Sequence, residues 1–160
     1  MSQDIFIKIS GIDGESEDSV HKDEIDVLSW SWNVTQQSNM HVGSGGGAGR
    51  ATVEDITFEH YIDRATPNLT QYCLLGKHIE EAKLVVRKAG GSPLEYIKLT
   101  MNDVLVTSVS QSGVSTGESR PREVVRLSFA RMKQEYVVQN IQGGSGGAIT
   151  ATFDIKKNSA

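Results

Sequence analysis

The chain of 160 residues carries a single cysteine, Cys73, which excludes an intrachain disulfide and a cysteine-rich zinc site. That usage fits folding in a reducing cytoplasm. No apolar run approaches the ~20 residues of a membrane span. The stretch from Met1 to Lys8 lacks a basic leader and an apolar core, so no conventional signal peptide is expected. Positive charge is also scarce: 16 Lys and Arg stand against 20 Asp and Glu, a net charge of -4. Nothing in that balance suggests a nucleic-acid footprint or a polybasic membrane patch, so the expected partners are proteins, with no nucleic acid and no membrane insertion.

Catalytic constellations are missing as well. His21, His41, His60 and His78 are scattered at spacings that form neither H-x-x-x-H nor a Cys/His ligand set, and His60 and His78 read as surface or capping residues. Cys73, five residues before His78, falls among apolar helix positions and reads as a small buried hydrophobe. Glu118, Arg120, Arg122 and Glu123 read as a solvated, mixed-charge loop end. Neither an enzymatic activity nor a cofactor or bound metal is expected.

A glycine block is present, running Gly43-Ser44-Gly45-Gly46-Gly47-Ala48-Gly49-Arg50. A P-loop would need Lys and Ser/Thr where Arg50 and Ala51 stand, and a helix after them. Gly43, Gly45 and Ala48 match G-x-G-x-x-A, but the following Thr52 to Phe58 reads as a strand. The block therefore reads as backbone freedom at an exposed tip, suited to docking.

The rest of the chain is strand-like, and its length fits one domain over residues 1–160, enough to bury about two thirds of the surface of its unfolded form. Asp4 to Ile9 alternates and leads into the acidic loop Gly11 to Ser19. Glu24 stands twelfth counting from Asp13, but Asp18 occupies the glycine position of an EF-hand and the flanks are strands, so a solvated loop is expected. Leu28 to Thr35 alternates strictly, with Leu28, Trp30, Trp32 and Val34 on a core face and Ser29, Ser31, Asn33 and Thr35 on the other. Thr66 as N-cap, Pro67 at the first helical position and Gly76 as stop predict one short helix packed on the sheet through Leu69, Tyr72, Cys73 and Leu75.

Ala82 to Lys88 and Leu94 to Val109 predict a hairpin turned at Gly90 and Gly91. Its second arm shifts apolar parity from Ile97, Leu99 and Met101 to Val104 and Val106, which predicts a bend or bulge near Asp103. The arm from Glu123 to Val138 shifts between Phe129 and Met132, and a last strand runs from Ile149 to Ile155. Long bent antiparallel strands predict a mainly β fold closed as a barrel or sandwich.

The segment Gly14-Glu15-Ser16-Glu17-Asp18, His21 and Glu24 to Trp32 resembles the haemolysin-coregulated protein (Hcp) family of bacterial type VI secretion systems. Met40 through Arg50, Phe58 to Asp63, Thr66 to Leu69, Gly76 to His78, Ala82 to Leu84 and Arg87 to Gly91 follow the same pattern. The resemblance implies two antiparallel β-sheets closed into a barrel with one short α-helix, assembling as a homohexameric ring. Rings of that family stack into a tube with a spike protein at its tip and a contractile sheath around it. Effector proteins ride in the lumen. The subunit would be cytoplasmic before firing and then secreted, outside or into target cells, without a cleaved signal peptide.

By position in the pattern, Ser29 and Ser31 would face the lumen and contact effectors. Met40, His41, Gly43, Gly45, Gly46, Gly47, Gly49 and Arg50 would form a loop contacting neighbouring subunits and stacked rings. No appended toxin domain is expected beyond Ala160. A second reading is a monomeric β-barrel that binds a small ligand inside; it would need an apolar pocket of ~300 Å³ or more, against which the bulk of Trp30, Trp32, Phe58 and Phe129 argues.

Overall fold

Alternation of apolar side chains sets the first strand, β1 (Gln3–Ile9), with Ile7 and Ile9 fully inside. The computed structural model describes residues 2–38, 50–90, 93–142 and 144–160. Beyond β1 come β2 (Ile25–Asp26), β3 (Ser29–Ser31), β4 (Val34–Thr35), β5 (Thr52–Val53) and β6 (Ile56–Tyr61), then helix α1 (Thr66–Leu75). Four long strands follow: β7 (Ile79–Lys88), β8 (Leu94–Ser112), β9 (Arg122–Gln139) and β10 (Ser145–Asp154).

Eight of the strands make one antiparallel sheet in the order β2-β1-β7-β8-β9-β6-β3, with β10 also paired to β9, while β4 and β5 pair separately. Its two ends are consecutive in the chain. β2 pairs with β1, Val27 N donates to Ile5 O at 2.9 Å and Leu28 N to Glu59 O at 2.7 Å, and β3 then pairs with β6. Residues 25–31 thus change partner in mid-course and close the sheet into a barrel. The two walls expected of the barrel are halves of this one continuous sheet, and Phe58, Leu84, Leu99, Met101 and Leu127 fill the space between them.

The two long arms bend together. Met101 pairs with Met132 and Val104 with Phe129, and all four are buried, so both strands reverse parity at one level. Asp103 takes φ +54 there, the left-handed conformation that turns a strand without adding a residue. Register shifts a little further on, between Val106 and Ser108. The predicted bend near Asp103 is therefore present, with the bulge displaced from it.

The strand expected over Leu28 to Thr35 is broken at Trp32 and Asn33. Trp32 Nε1 donates to Glu54 O at 2.9 Å and Glu54 N to Asn33 O at 3.1 Å, which lets the β4–β5 ribbon peel away while β10 takes the free edge of β9. Only Trp30 and Trp32 of the expected core face pack against the core, both half-buried. Leu28 and Val34 are 38% and 52% exposed, because one lies on the crossing between walls and the other on the ribbon beyond the barrel.

Helix α1 covers one end of the barrel. Ala65, not Thr66, is its N-cap residue; Thr66 enters the first turn, where its Oγ1 accepts from Asp63 N at 3.2 Å while Asp63 Oδ1 accepts from Ala65 N at 2.9 Å. Gly76, at φ +59, ends the helix, a conformation that costs glycine little. Leu69 is buried and Tyr72 and Cys73 are half-buried. Leu75 is 67% exposed rather than packed, since six residues after Leu69 it lies about 240° round the helix.

The acidic loop after β1 is tied down, contrary to expectation. Asp18 accepts from Arg87 at 2.7 and 3.0 Å and from the Val20 and His21 backbone. The Arg87 hydrogen bonds, against some burial, hold its carboxyl well below the usual range. His21 stacks on Phe6 at 4.4 Å and bonds Glu24 and Glu95 at 3.0 Å.

Candidate functional site

Pairing of β3, β6, β9 and the far half of β8 lays small polar side chains across four strands. Ser31, Thr57, Arg126 and Ser108 are in register in one row, and Ser29, Glu59, Val124 and Ser110 in the next. All eight stand on the outside of the barrel; Ser29, Ser31, Ser110 and Arg126 are exposed and the rest half-buried. The same strands turn Trp30, Phe58, Val125 and Val109 inward as the matching core row, so alternation alone separates a wet face from a dry one.

Charged groups on this face are mostly paired. Glu59 meets Arg122 at 3.3 Å, Asp55 Oδ2 accepts from Thr107 Oγ1 at 2.5 Å and Glu54 Oε2 from Asn33 Nδ2 at 3.3 Å. Where the ribbon peels away, Ser31, Asn33, Asp55, Thr57 and Arg126 line a polar cleft of about 470 Å³.

One inward row ends in ionisable groups that the sequence did not reveal. His60, Glu123 and Gln111 lie in register on β6, β9 and β8, and His60 and Glu123 are fully buried rather than surface residues. His60 Nε2 donates to Glu123 Oε1 at 2.7 Å; Thr66 Oγ1 and Gln111 Nε2 also donate to this carboxylate, at 3.2 and 2.8 Å. His60 Nδ1 lies 3.6 Å from Asp63 Oδ2, an ionic contact too long for a hydrogen bond. Burial lowers the His60 pKa, but Asp63 and Glu123 more than reverse that and raise it to about 9.

Hydroxyl, carboxylate and imidazole thus meet here, but in an order unsuited to nucleophilic catalysis. Glu123 stands between Thr66 and His60, so the imidazole does not take a proton from the hydroxyl. The cluster is a buried lock between α1 and the sheet. His78, by contrast, is exposed and bonds Asp103 at 3.0 Å.

The other chemical readings are addressed by the same geometry. Among the described residues no group of three or more His, Cys, Asp or Glu is arranged to hold a metal. No helix among them is long and apolar enough to cross a membrane. An apolar cleft lined by Trp30, Ile97, Tyr136 and Ile149 measures about 270 Å³, and exposed Tyr136 and Ile149 place it on the surface. It is smaller than the pocket a ligand-binding barrel calls for.

Of the residues singled out for assembly and cargo, Ser29 and Ser31 come together on the polar face, and Arg50 is exposed at the foot of β5. Met40, His41, Gly43, Gly45, Gly46, Gly47 and Gly49 lie outside the described residues. Arg126 and Thr57, which complete the serine face, follow from strand pairing rather than from any motif.

A family model described as "Type VI secretion system effector, Hcp" matches residues 6–136. Protein hcp1 of Pseudomonas aeruginosa is 48% identical over 160 residues, spanning 99% of this chain and 98% of the relative. Among solved structures, Hcp1 of Salmonella typhimurium is 53% identical with a TM-score of 0.81 over 99% of both chains. A type VI secretion system effector of Yersinia pestis is 46% identical with a TM-score of 0.78 over 94% of this chain and 99% of that one. With the bent barrel, the single helix and the serine strand all in place, the chain belongs to the Hcp family of type VI secretion system proteins.

Proposed function

We propose that this chain is the structural subunit of a type VI secretion tube, with copies closing into a homohexameric ring, rings stacking into a tube, and effector proteins held in its lumen. The observation that carries this reading is the four-stranded face of serines and threonines around Ser29 and Ser31. It is wet, mostly of short hydroxyl side chains around Arg126 and Glu59, and backed by a filled core, as the wall of a protein-sized channel requires.

The borders of that face support a ring. β3 ends the sheet order on one side, and β8 beyond Val104 has no described strand beyond it on the other. Two unlike free edges favour head-to-tail contact between neighbours, and such contacts close into rings when the rotation allows. The 39–49 loop and Arg50 contact neighbouring subunits and stacked rings. A spike at the tip and a surrounding sheath complete the assembly. The subunit is made in the cytoplasm and expelled with the tube, and its role is structural rather than catalytic.

Electron microscopy of the purified protein tests the assembly: six-fold rings are expected, and strictly monomeric particles over a wide concentration range would overturn the proposal. Ser31→Lys tests the lumen. Rings should persist while effector retention falls; loss of the rings would place Ser31 at a subunit contact instead.

A further inference from the structure

We propose that Arg126 is the charge-selective contact of the serine face, and that the cargo it holds presents carboxylate groups there. This rests on the lumen reading above and names the chemistry of its occupant. Arg126 lies at the centre of the face, in register between Thr57 and Ser108, with Ser31 one strand further, roughly 10 Å away at ordinary strand spacing. Its side chain is exposed and forms no ion pair among the described residues.

The neighbouring charges make this arginine distinct. Glu59 is held by Arg122, Asp55 accepts the Thr107 hydroxyl and Glu54 accepts from Asn33. Arg126 is therefore a charged side chain of this face with no ion-pair or hydrogen-bond partner among the described residues, and it lines the polar cleft. A guanidinium presents a planar fork that fits a carboxylate through two parallel hydrogen bonds. Thr57 beside it, and Ser31 one strand further along the row, can donate to the oxygen lone pairs that remain. The hydrated guanidinium is stable in the empty face, and covering it with a protein surface strengthens the pair by excluding water.

A nucleic acid fits less well. Glu54, Asp55 and Glu59 flank Arg126, and a continuous polyanion would have to run across them. A discrete carboxylate would not. Six copies in a ring would repeat the contact around the lumen, so weak single contacts would add through multivalency.

The test uses the full chain, wild type and the variants Arg126→Gln and Arg126→Lys, each checked for rings by electron microscopy. The probes are three fluorescein-labelled oligomers of equal length: an otherwise neutral peptide with one glutamate, the same peptide with lysine in its place, and single-stranded DNA. Fluorescence anisotropy follows binding at low and high salt. Wild-type rings are expected to prefer the glutamate peptide, with affinity falling as salt rises. Arg126→Gln should weaken that binding ~10-fold and flatten its salt dependence, and Arg126→Lys should fall between.

Intact Arg126→Gln rings that bind the glutamate peptide like wild type would overturn this proposal while leaving the tube reading in place. DNA binding as tight as the glutamate peptide would overturn it too. Failure of Arg126→Gln to form rings, with the barrel still folded by circular dichroism, would put this face between subunits and overturn both readings.

Discussion

His60 and Glu123 form a fully buried ion pair 2.7 Å apart, and such pairs matter most when one partner is lost. His60→Leu leaves a carboxylate in the core with only Thr66 and Gln111 as donors. It should lower unfolding stability by ~3–5 kcal/mol in urea titrations at fixed protein concentration, and Glu123→Leu added to it should restore part of the loss. The same pair sets a pH dependence. The His60 pKa is raised from 6.5 to about 9, so the folded state binds the proton more tightly than the unfolded state. Its contribution is complete below pH 6.5, declines as pH rises and is gone above 9. Thermal midpoints of wild type should fall across that window, and those of His60→Gln should show less of the fall.

At the level of elements, the bend near Asp103 is what folds two long strands back into a barrel. Asp103 adopts φ +54 and also pairs with His78 and Arg131. Asp103→Gly loses the exposed ion pairs but keeps the conformation. Asp103→Val must force a β-branched residue into the left-handed region, and should cost roughly 1–2 kcal/mol more than the glycine variant in thermal unfolding. This bend was legible in the sequence because parity is a local signal: Met101 and Val104 cannot both face inward on a regular strand. The helix was legible from Pro67 and Gly76 for the same reason. The lock of His60 was not, since its partner is 63 positions away and Glu123 follows a charged loop that reads as solvated. The anchoring of the acidic loop escaped likewise, because Arg87 lies 69 positions from Asp18. Of the polar face only Ser29 and Ser31 were visible; Thr57, Arg126 and Ser108 joined it through cross-strand register.

At the scale of the whole molecule, residues 39–49 connect in sequence β4 to β5, the two strands of the ribbon that peels away from the barrel wall. Gly46→Val together with Gly47→Val should leave the circular dichroism spectrum intact while blocking stacking and secretion, since β-branched residues remove the backbone freedom that a glycine-rich sequence supplies. Unchanged tube formation under the microscope would refute a docking role for the block.

The closing segment at residues 25–31 gives the barrel a temporal order. β7, β8, β9 and β10 form a meander of successive neighbours, and pairing of that kind needs little chain closure. The seam instead joins β2 to β1 and β3 to β6 through a handful of hydrogen bonds, and waits until distant parts of the chain have met. The meander is expected to fold first and the seam last, so the amides of Val27 and Leu28 should exchange with deuterium sooner than those of Leu99 and Leu127. The joint that opens most readily then borders Ser29 and Ser31, and a neighbouring subunit that covers the β3 edge would slow that opening as the ring forms.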